Sequence, residues 1–233
     1  MFLDVDGTLL DIAPRPEAVE VKASLLEDLA AAERALGGAL ALVSGRPIAE
    51  LDRLFAPLRL SASGVHGAEI RRRPDAPVIR LAEGQLDEDG WRELDRLLGR
   101  FPGSFAENKG VSFAVHYPDP GTDIGELRHA LLRLMERIGG GSQGLKLIAG
   151  RAVFEIQLQG FDKGRAIRRF MKKKPFSGRK PIFIGDDEID RAGFDAALAR
   201  GGLAFSVGLE FPGVTGVFAG PQAVRDWLHR FGR

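Results

Sequence analysis

Short apolar runs alternate along the chain with amphipathic stretches. Phe2-Leu3 reads as the end of a strand. Val21 to Leu36 predicts a helix, because Leu25, Leu26, Leu29 and Ala32 recur at helical spacing and Gly37-Gly38 ends the run. Ala39 to Val43 is continuously apolar and predicts a buried strand. Ile48 to Phe55 follows as a helix, with Pro47 in its first turn. Ile182-Phe183-Ile184 and Leu203 to Val207 predict two more buried strands. Strands that alternate with helices imply βαβ units and a parallel sheet.

The middle of the chain has a different period. From Gly110 to Tyr117, Val111, Phe113, Val115 and Tyr117 share one face, with Ser112, Ala114 and His116 on the other. Val153 to Leu158 alternates too, with Glu155 and Gln157 set between Phe154, Ile156 and Leu158. Alternation of this kind marks a sheet with one solvated face, usually antiparallel. Two helical patterns, Trp91 to Leu98 and Glu126 to Ile138, accompany it. These signals predict a small α+β unit over residues 84–157, inserted into an α/β domain made of residues 1–83 and 158–233.

Composition narrows the function classes. Lys plus Arg number 33 and Asp plus Glu 32, a net charge of +1, which argues against nucleic-acid binding by bulk positive charge. There is no Cys, so disulfides, thiolate nucleophiles and zinc–thiolate sites are excluded. No apolar run reaches the roughly 18 residues of a membrane span, and no signal-peptide pattern opens the chain. A cytoplasmic protein that engages neither membrane nor nucleic acid is the expectation, with a monomer as its state. The first strand is short, which leads us to expect a natural start upstream of Met1. An intact mass beginning at Met1 would refute that.

Four segments carry the chemistry. Asp4-Val5-Asp6-Gly7-Thr8 directly follows the first strand. In open α/β sheets ligands bind beyond the carboxyl ends of the strands. Two carboxylates there suit Mg²⁺, which takes oxygen ligands from one or two carboxylates, phosphate and water. Gly7 permits the sharp turn that faces backbone amides toward a ligand. The bland alternative is a solvated surface turn. Ser44-Gly45-Arg46 ends another buried strand and offers a hydroxyl, an amide and a guanidinium to a phosphate; helix capping alone would also explain it. Asp162 suits an N-cap, which leaves Lys163 in the first helical turn against the macrodipole. A lysine so placed either reaches a phosphate or is simply exposed. Asp186-Asp187-Glu188-Ile189-Asp190 is an acidic cluster that repels itself unless a cation is present. An acidic helix start is the competing reading. Arg71-Arg72-Arg73 and Lys172-Lys173-Lys174 read as solvated faces, with Arg71 or Arg73 a weaker option for steering an anionic substrate. Together the four segments supply a nucleophile, a phosphate cradle and a cation site, the aspartyl-phosphate solution to phosphoryl transfer.

That order of motifs resembles the haloacid dehalogenase (HAD) superfamily of Mg²⁺-dependent phosphatases. Gly64-Val65-His66-Gly67-Ala68-Glu69, Glu107-Asn108-Lys109-Gly110, Ala114-Val115-His116-Tyr117 and Glu155-Ile156 ahead of Asp162-Lys163-Gly164 resemble its trehalose-6-phosphate phosphatase family, over nearly the whole chain. The resemblance implies a HAD-like Rossmannoid core with a parallel sheet, plus an inserted α+β cap of type 2. It implies Asp4 as nucleophile, Asp6 as general acid and base, and Ser44 and Lys163 as holders of the phosphoryl oxygens. It implies Mg²⁺ on the Asp4 carboxylate, the Asp6 backbone carbonyl and Asp186, with Asp187 and Asp190 orienting the metal site and Lys163. Arg46, Glu107, Lys109 and Glu155 are the implied substrate-binding residues, the last three reading the sugar. By residue type alone, those three read as ordinary surface groups and His66 as structural. Gln157-Leu158 and Pro118 depart from the Arg-Pro and Arg usual in the family. A sibling phosphatase for a sucrose or mannosylglycerate phosphate, and a non-catalytic sugar-phosphate sensor, remain alternatives.

Overall fold

The computed structural model describes residues 1–12, 21–81, 88–109, 112–118, 121–138, 144–150 and 152–231. Gly110 and Val111, at the start of the predicted alternation, lie outside this set, as do residues 83–84 at the predicted boundary and the side chain of Leu158. In chain order the elements begin with β1 (Phe2–Leu3), α1 (Ala23–Ala35), β2 (Ala41–Val43), α2 (Ile48–Leu54), β3 (Ser61–Gly64), β4 (Glu69–Arg71) and β5 (Ile79–Arg80). Next come α3 (Glu88–Leu98), β6 (Phe105–Asn108), β7 (Ser112–His116), α4 (Ile124–Ile138), β8 (Leu145–Gly150) and β9 (Val153–Leu158). Last are α5 (Lys163–Phe170), β10 (Ile182–Gly185), α6 (Arg191–Leu198), β11 (Leu203–Val207), β12 (Gly216–Phe218) and α7 (Pro221–Phe231). Contacts divide the chain into two units, Met1–Leu81 with Asp162–Arg233, and Ala82–Phe161. Among the described residues, no helix is long and apolar enough to cross a membrane.

The first unit holds an eight-stranded sheet in the order β12-β11-β10-β1-β2-β3-β4-β5. It is parallel from β12 to β3, and β4 and β5 add an antiparallel edge. β1 is only two residues long, yet it is central, paired to β10 and β2 at once. Its two side chains serve two layers. Leu3 joins a cluster with Leu25, Leu29 and Leu228, while Phe2 enters the other layer with Phe170, Phe176 and Phe183. The Phe2 and Phe176 rings stack at 5.1 Å. Register then does the placing: Leu3 aligns with Leu42 and with Ile184, so β1, β2 and β10 end together. The residues that follow these ends sit at the crevice where the connections turn to opposite sides, as open α/β sheets require of a ligand site.

The second unit is a four-stranded antiparallel sheet, β6-β7-β9-β8. One face packs on α3 and α4: Phe113, Val115, Phe154 and Ile156 meet Leu94, Leu127, Leu131 and Leu134. Register puts Glu107, Ala114, Glu155 and Ile148 in one row of the other face, and Ser112, Gln157 and Lys146 in the next. The expectation that this face is solvated is overturned, since Ser112, Glu155 and Gln157 are all buried. A charge survives there because it is paired, as the Lys109–Glu155 contact below shows.

Two other expectations need correction. Arg71 is not on a solvated face: it is 1% exposed, donating to the Leu60 carbonyl at 2.8 and 3.1 Å and to Asp52 at 2.6 Å. It ties β4 to α2 and has no free charge to steer a substrate. Pro47 stands at the N-cap of α2 rather than in its first turn. Lys172, Lys173 and Lys174 are exposed, as expected.

Candidate active site

Asp4 leaves β1 with its amide bound to the Ile184 carbonyl at 2.9 Å, which aligns it with the end of β10. The chain then turns back on itself, Leu9 and Leu10 both donating to the Val5 carbonyl. Gly7 has φ 75°, and a Cβ there would lie 2.0 Å from Asp186 Oδ2. Only glycine allows Asp186 to approach this loop so closely. The Thr8 hydroxyl lies 3.2 Å from Asp4 Oδ2 and 3.3 Å from Asp186 Oδ1, so it links the two carboxylates.

Lys163 opens α5, and Asp162 caps the helix by accepting from the Arg165 amide at 2.6 Å. The exposed-lysine reading fails. Lys163 is 4% exposed, and Nζ donates to Asp4 Oδ1 and to Asp190 Oδ1, both at 2.6 Å. Burial alone would lower its pKa, but Asp190 and Asp4 outweigh this and hold it well above the usual lysine range. The other oxygen of Asp190 accepts from the amides of Asp186 (2.9 Å) and Asp187 (3.3 Å). Asp187 in turn accepts from the Ile189 amide at 2.8 Å, completing a reciprocal cap on the helical turn Glu188–Asp190. Every oxygen of Asp190 is therefore occupied in placing something else.

The charges do not balance. Asp4, Asp186 and Asp190 bring oxygens within 4.8 Å of one another, against the single ammonium of Lys163. Burial and the Asp190 charge push Asp4 well above the usual carboxylate range, Asp186 up to about 6 and Asp187 up to about 7. A further cation would offset such a cluster. Its donors are hard oxygens, which suit a divalent ion. Asp4, Asp186 and Asp190 each offer one such oxygen.

Asp6 and Arg46 form a pair that the sequence does not foretell. Arg46 Nε and Nη2 each donate to one oxygen of Asp6 at 2.7 Å, a two-point contact. Nη1 bonds Glu50 on the first turns of α2. Arg46 is buried, and Asp6 and Glu50 more than offset that burial, raising its already high pKa. The Asp6 side chain remains 39% exposed. Ser44 is buried at the end of β2, its Oγ accepting from the Arg46 amide at 3.1 Å.

In the second unit the three sugar-reading candidates do come together. Lys109 Nζ donates to Glu155 Oε1 at 2.7 Å and lies 3.9 Å from Glu107 Oε2. Glu107 Oε2 also meets His116 Nε2 at 2.9 Å, and the His116 ring stacks on Phe105 at 4.7 Å. Burial would raise the Glu107 pKa, but His116 and Lys109 reverse this and hold it below its usual value. His116 is thus part of the cluster, a placement that the sequence pattern does not signal. Gln157 is a second addition. It is 2% exposed, and among the described residues neither of its amide atoms has a hydrogen-bond partner, nor does the Ser112 hydroxyl opposite. The signal was present in the period-two pattern, which puts residue 157 on the face of residue 155.

A family model for trehalose-phosphatase matches residues 2–215. The chain is 37% identical over 227 residues to the trehalose-6-phosphate phosphatase of Escherichia coli K12, covering 97% of this chain and 84% of that protein. It is 38% identical over 227 residues to a probable trehalose-phosphate phosphatase of Sinorhizobium fredii, covering 96% and 83%. Among solved structures, the C-terminal domain of the C. albicans trehalose-6-phosphate phosphatase superposes with a TM-score of 0.82, at 19% identity over 99% of this chain and 90% of that one. That last likeness establishes the fold. With the family match, it fixes the architecture as a HAD-type α/β core with an inserted unit, and the family implies a divalent metal. The chain belongs to the trehalose-phosphatase family.

Proposed function

We propose that this chain hydrolyses trehalose 6-phosphate to trehalose and phosphate, with Mg²⁺ as its metal. The observation that carries the reading is Asp4, buried at the end of the central strand between Lys163 and Thr8, beside the Asp186 and Asp190 carboxylates. Asp4 attacks phosphorus, forming an aspartyl phosphate as the bond to the sugar oxygen breaks. Asp6 gives its proton to that leaving oxygen. Asp6 then takes a proton from the water that attacks the aspartyl phosphate, which releases phosphate and restores Asp4. Asp6 is paired with Arg46, so that contact must be exchanged before Asp6 acts on the leaving oxygen. A substrate phosphate gives Arg46 another anion to bind. Ser44 and Lys163 hold the phosphoryl oxygens. Asp4, the Asp6 carbonyl and Asp186 would hold Mg²⁺, which would supply positive charge where two anions must meet. Asp187 and Asp190 position Asp186 and Lys163 from behind.

The second unit serves as the substrate-reading cap, close to the predicted residues 84–157. Trehalose is neutral and rich in hydroxyls, so its readers should be fixed donors and acceptors. Glu107, Lys109 and Glu155 are such groups, and the unpartnered Gln157 has hydrogen-bonding capacity left for a hydroxyl. The test is phosphate release from a panel of sugar phosphates with Mg²⁺ and with EDTA. EDTA-sensitive preference for trehalose 6-phosphate is expected. Preference for sucrose or mannosylglycerate phosphate would overturn the substrate, and absence of any turnover would favour a sensor.

A further inference from the structure

The phosphate-holding groups come from chain segments far apart in sequence, Ser44 and Arg46 from one and Lys163 from another. The turn between β3 and β4 touches both. Its backbone is strained: Val65 has φ 48°, His66 52° and Gly67 108°. A β-branched residue and a histidine in succession are held in the left-handed region that glycine prefers. Such conformations persist only where the surroundings over-determine them, and they gather at functional sites.

The surroundings are specific. The Val65 amide donates to the Arg46 carbonyl and the His66 amide to the Ser44 carbonyl, both at 3.1 Å. The His66 ring lies against Gly45, where a Cβ would stand 2.6 Å from Cε1. Glu69, at the far side of the turn, accepts from the Ile48 amide at 2.9 Å and so caps α2 just beyond Arg46. In the other direction, a Cβ on Gly67 would stand 2.9 Å from the carbonyl oxygen of Asp162, the residue before Lys163. Arg169, from the last turn of α5, donates to the Gly67 carbonyl at 3.4 Å.

We infer that this turn is a positioning brace: the His66 ring and the strained Val65–Gly67 backbone fix the Ser44–Arg46 loop relative to Lys163. The inference rests on the proposal that these groups hold the phosphoryl oxygens. The role assigned to His66 is exerted through Gly45, which its ring abuts. A phosphate cradle assembled from two segments loses rate steeply when one shifts, about a hundredfold for a displacement near 1 Å.

The test uses the full chain with saturating Mg²⁺. p-Nitrophenyl phosphate serves as a substrate without a sugar, and orthovanadate, followed by calorimetry, serves as a phosphoryl probe. His66→Asn keeps a residue that tolerates the left-handed backbone and removes the ring. It is expected to lower kcat about 10- to 100-fold and weaken orthovanadate binding about tenfold, with the fold intact by circular dichroism. Gly45→Ala drives a methyl into the ring and is expected to lose as much. Combined with His66→Asn, the collision is gone, and the double variant should be no slower than His66→Asn alone. Folded His66→Asn with kcat and orthovanadate affinity within about twofold of the parent would overturn the brace, as would losses that simply multiply. If His66→Asn does not fold, Gly45→Ala decides alone by the same two readouts. Failure of the unaltered chain on trehalose 6-phosphate would refute the substrate and leave these comparisons standing.

Discussion

Both units set a lysine between carboxylates, and they do so to opposite ends. In the first, Lys163 lies between Asp4 and Asp190, and a third carboxylate, Asp186, leaves the cluster short of positive charge. In the second, Lys109 lies between Glu155 and Glu107, and Glu107 has His116 as a further partner. The first cluster stands at strand ends, where backbone amides, Thr8 and Lys163 hold the carboxylates. The second stands on a sheet face, placed only by cross-strand register. A site with unmet negative charge attracts a metal cation, and a cation so held would attract phosphate. A site built from paired side chains on a sheet face has directional donors and acceptors to offer a neutral polyol. One chain thus builds one cluster at strand ends and the other on a sheet face.

Asp4→Asn should break the first side of this contrast most severely. It is expected to remove at least about a thousandfold of kcat with the fold retained by circular dichroism. Turnover surviving the change would rule out Asp4 as nucleophile. Lys163→Met strands Asp4 and Asp190 without their ammonium. It should destabilise the protein by about 3–5 kcal/mol in urea denaturation, besides abolishing activity. Coincident unfolding curves would mean that the carboxylates do not depend on it.

On the second side, Glu155→Gln or Lys109→Met should reduce kcat/KM for trehalose 6-phosphate by about 10- to 100-fold. Turnover of p-nitrophenyl phosphate should change little, and equal losses on both substrates would refute a role in sugar reading. The smallest effect concerns pH. Asp186 is pushed up to about 6, so protons compete for it just below neutrality. Apparent Mg²⁺ affinity should fall as pH drops through that value. Because the folded pKa lies above the unfolded one, the metal-free fold is favoured at low pH and loses that advantage as Asp186 ionises. Mg²⁺ should therefore raise Tm more at pH 8 than at pH 5, and an equal rise at both would count against the cluster as the metal site.

The elements around the first site were legible because each carries a local signal. Ala41–Val43 and Ile182–Gly185 are apolar runs that end in polar motifs, and a strand end is where an α/β sheet binds. Asp162 as a cap and the two-residue period of β9 are equally local. Partner choice was not legible. Arg71 looks identical to the exposed Arg72 and Arg73 in sequence, yet only Arg71 meets Asp52 and the Leu60 carbonyl. Arg46 read as a group for substrate, and it lies on Asp6. The polar face of β7 and β9 read as solvated, and it is buried.

By itself, then, the sequence determined periodicity, turns, caps and which chemistries each strand end holds, because those depend on neighbours a few positions away. Tertiary structure decided which charges meet. Asp4 and Lys163 are 159 positions apart, and their 2.6 Å contact exists only because β1 is paired between β2 and β10. A buried charge is tolerable only with its partner in place, and that partner is chosen by packing, which no local pattern records.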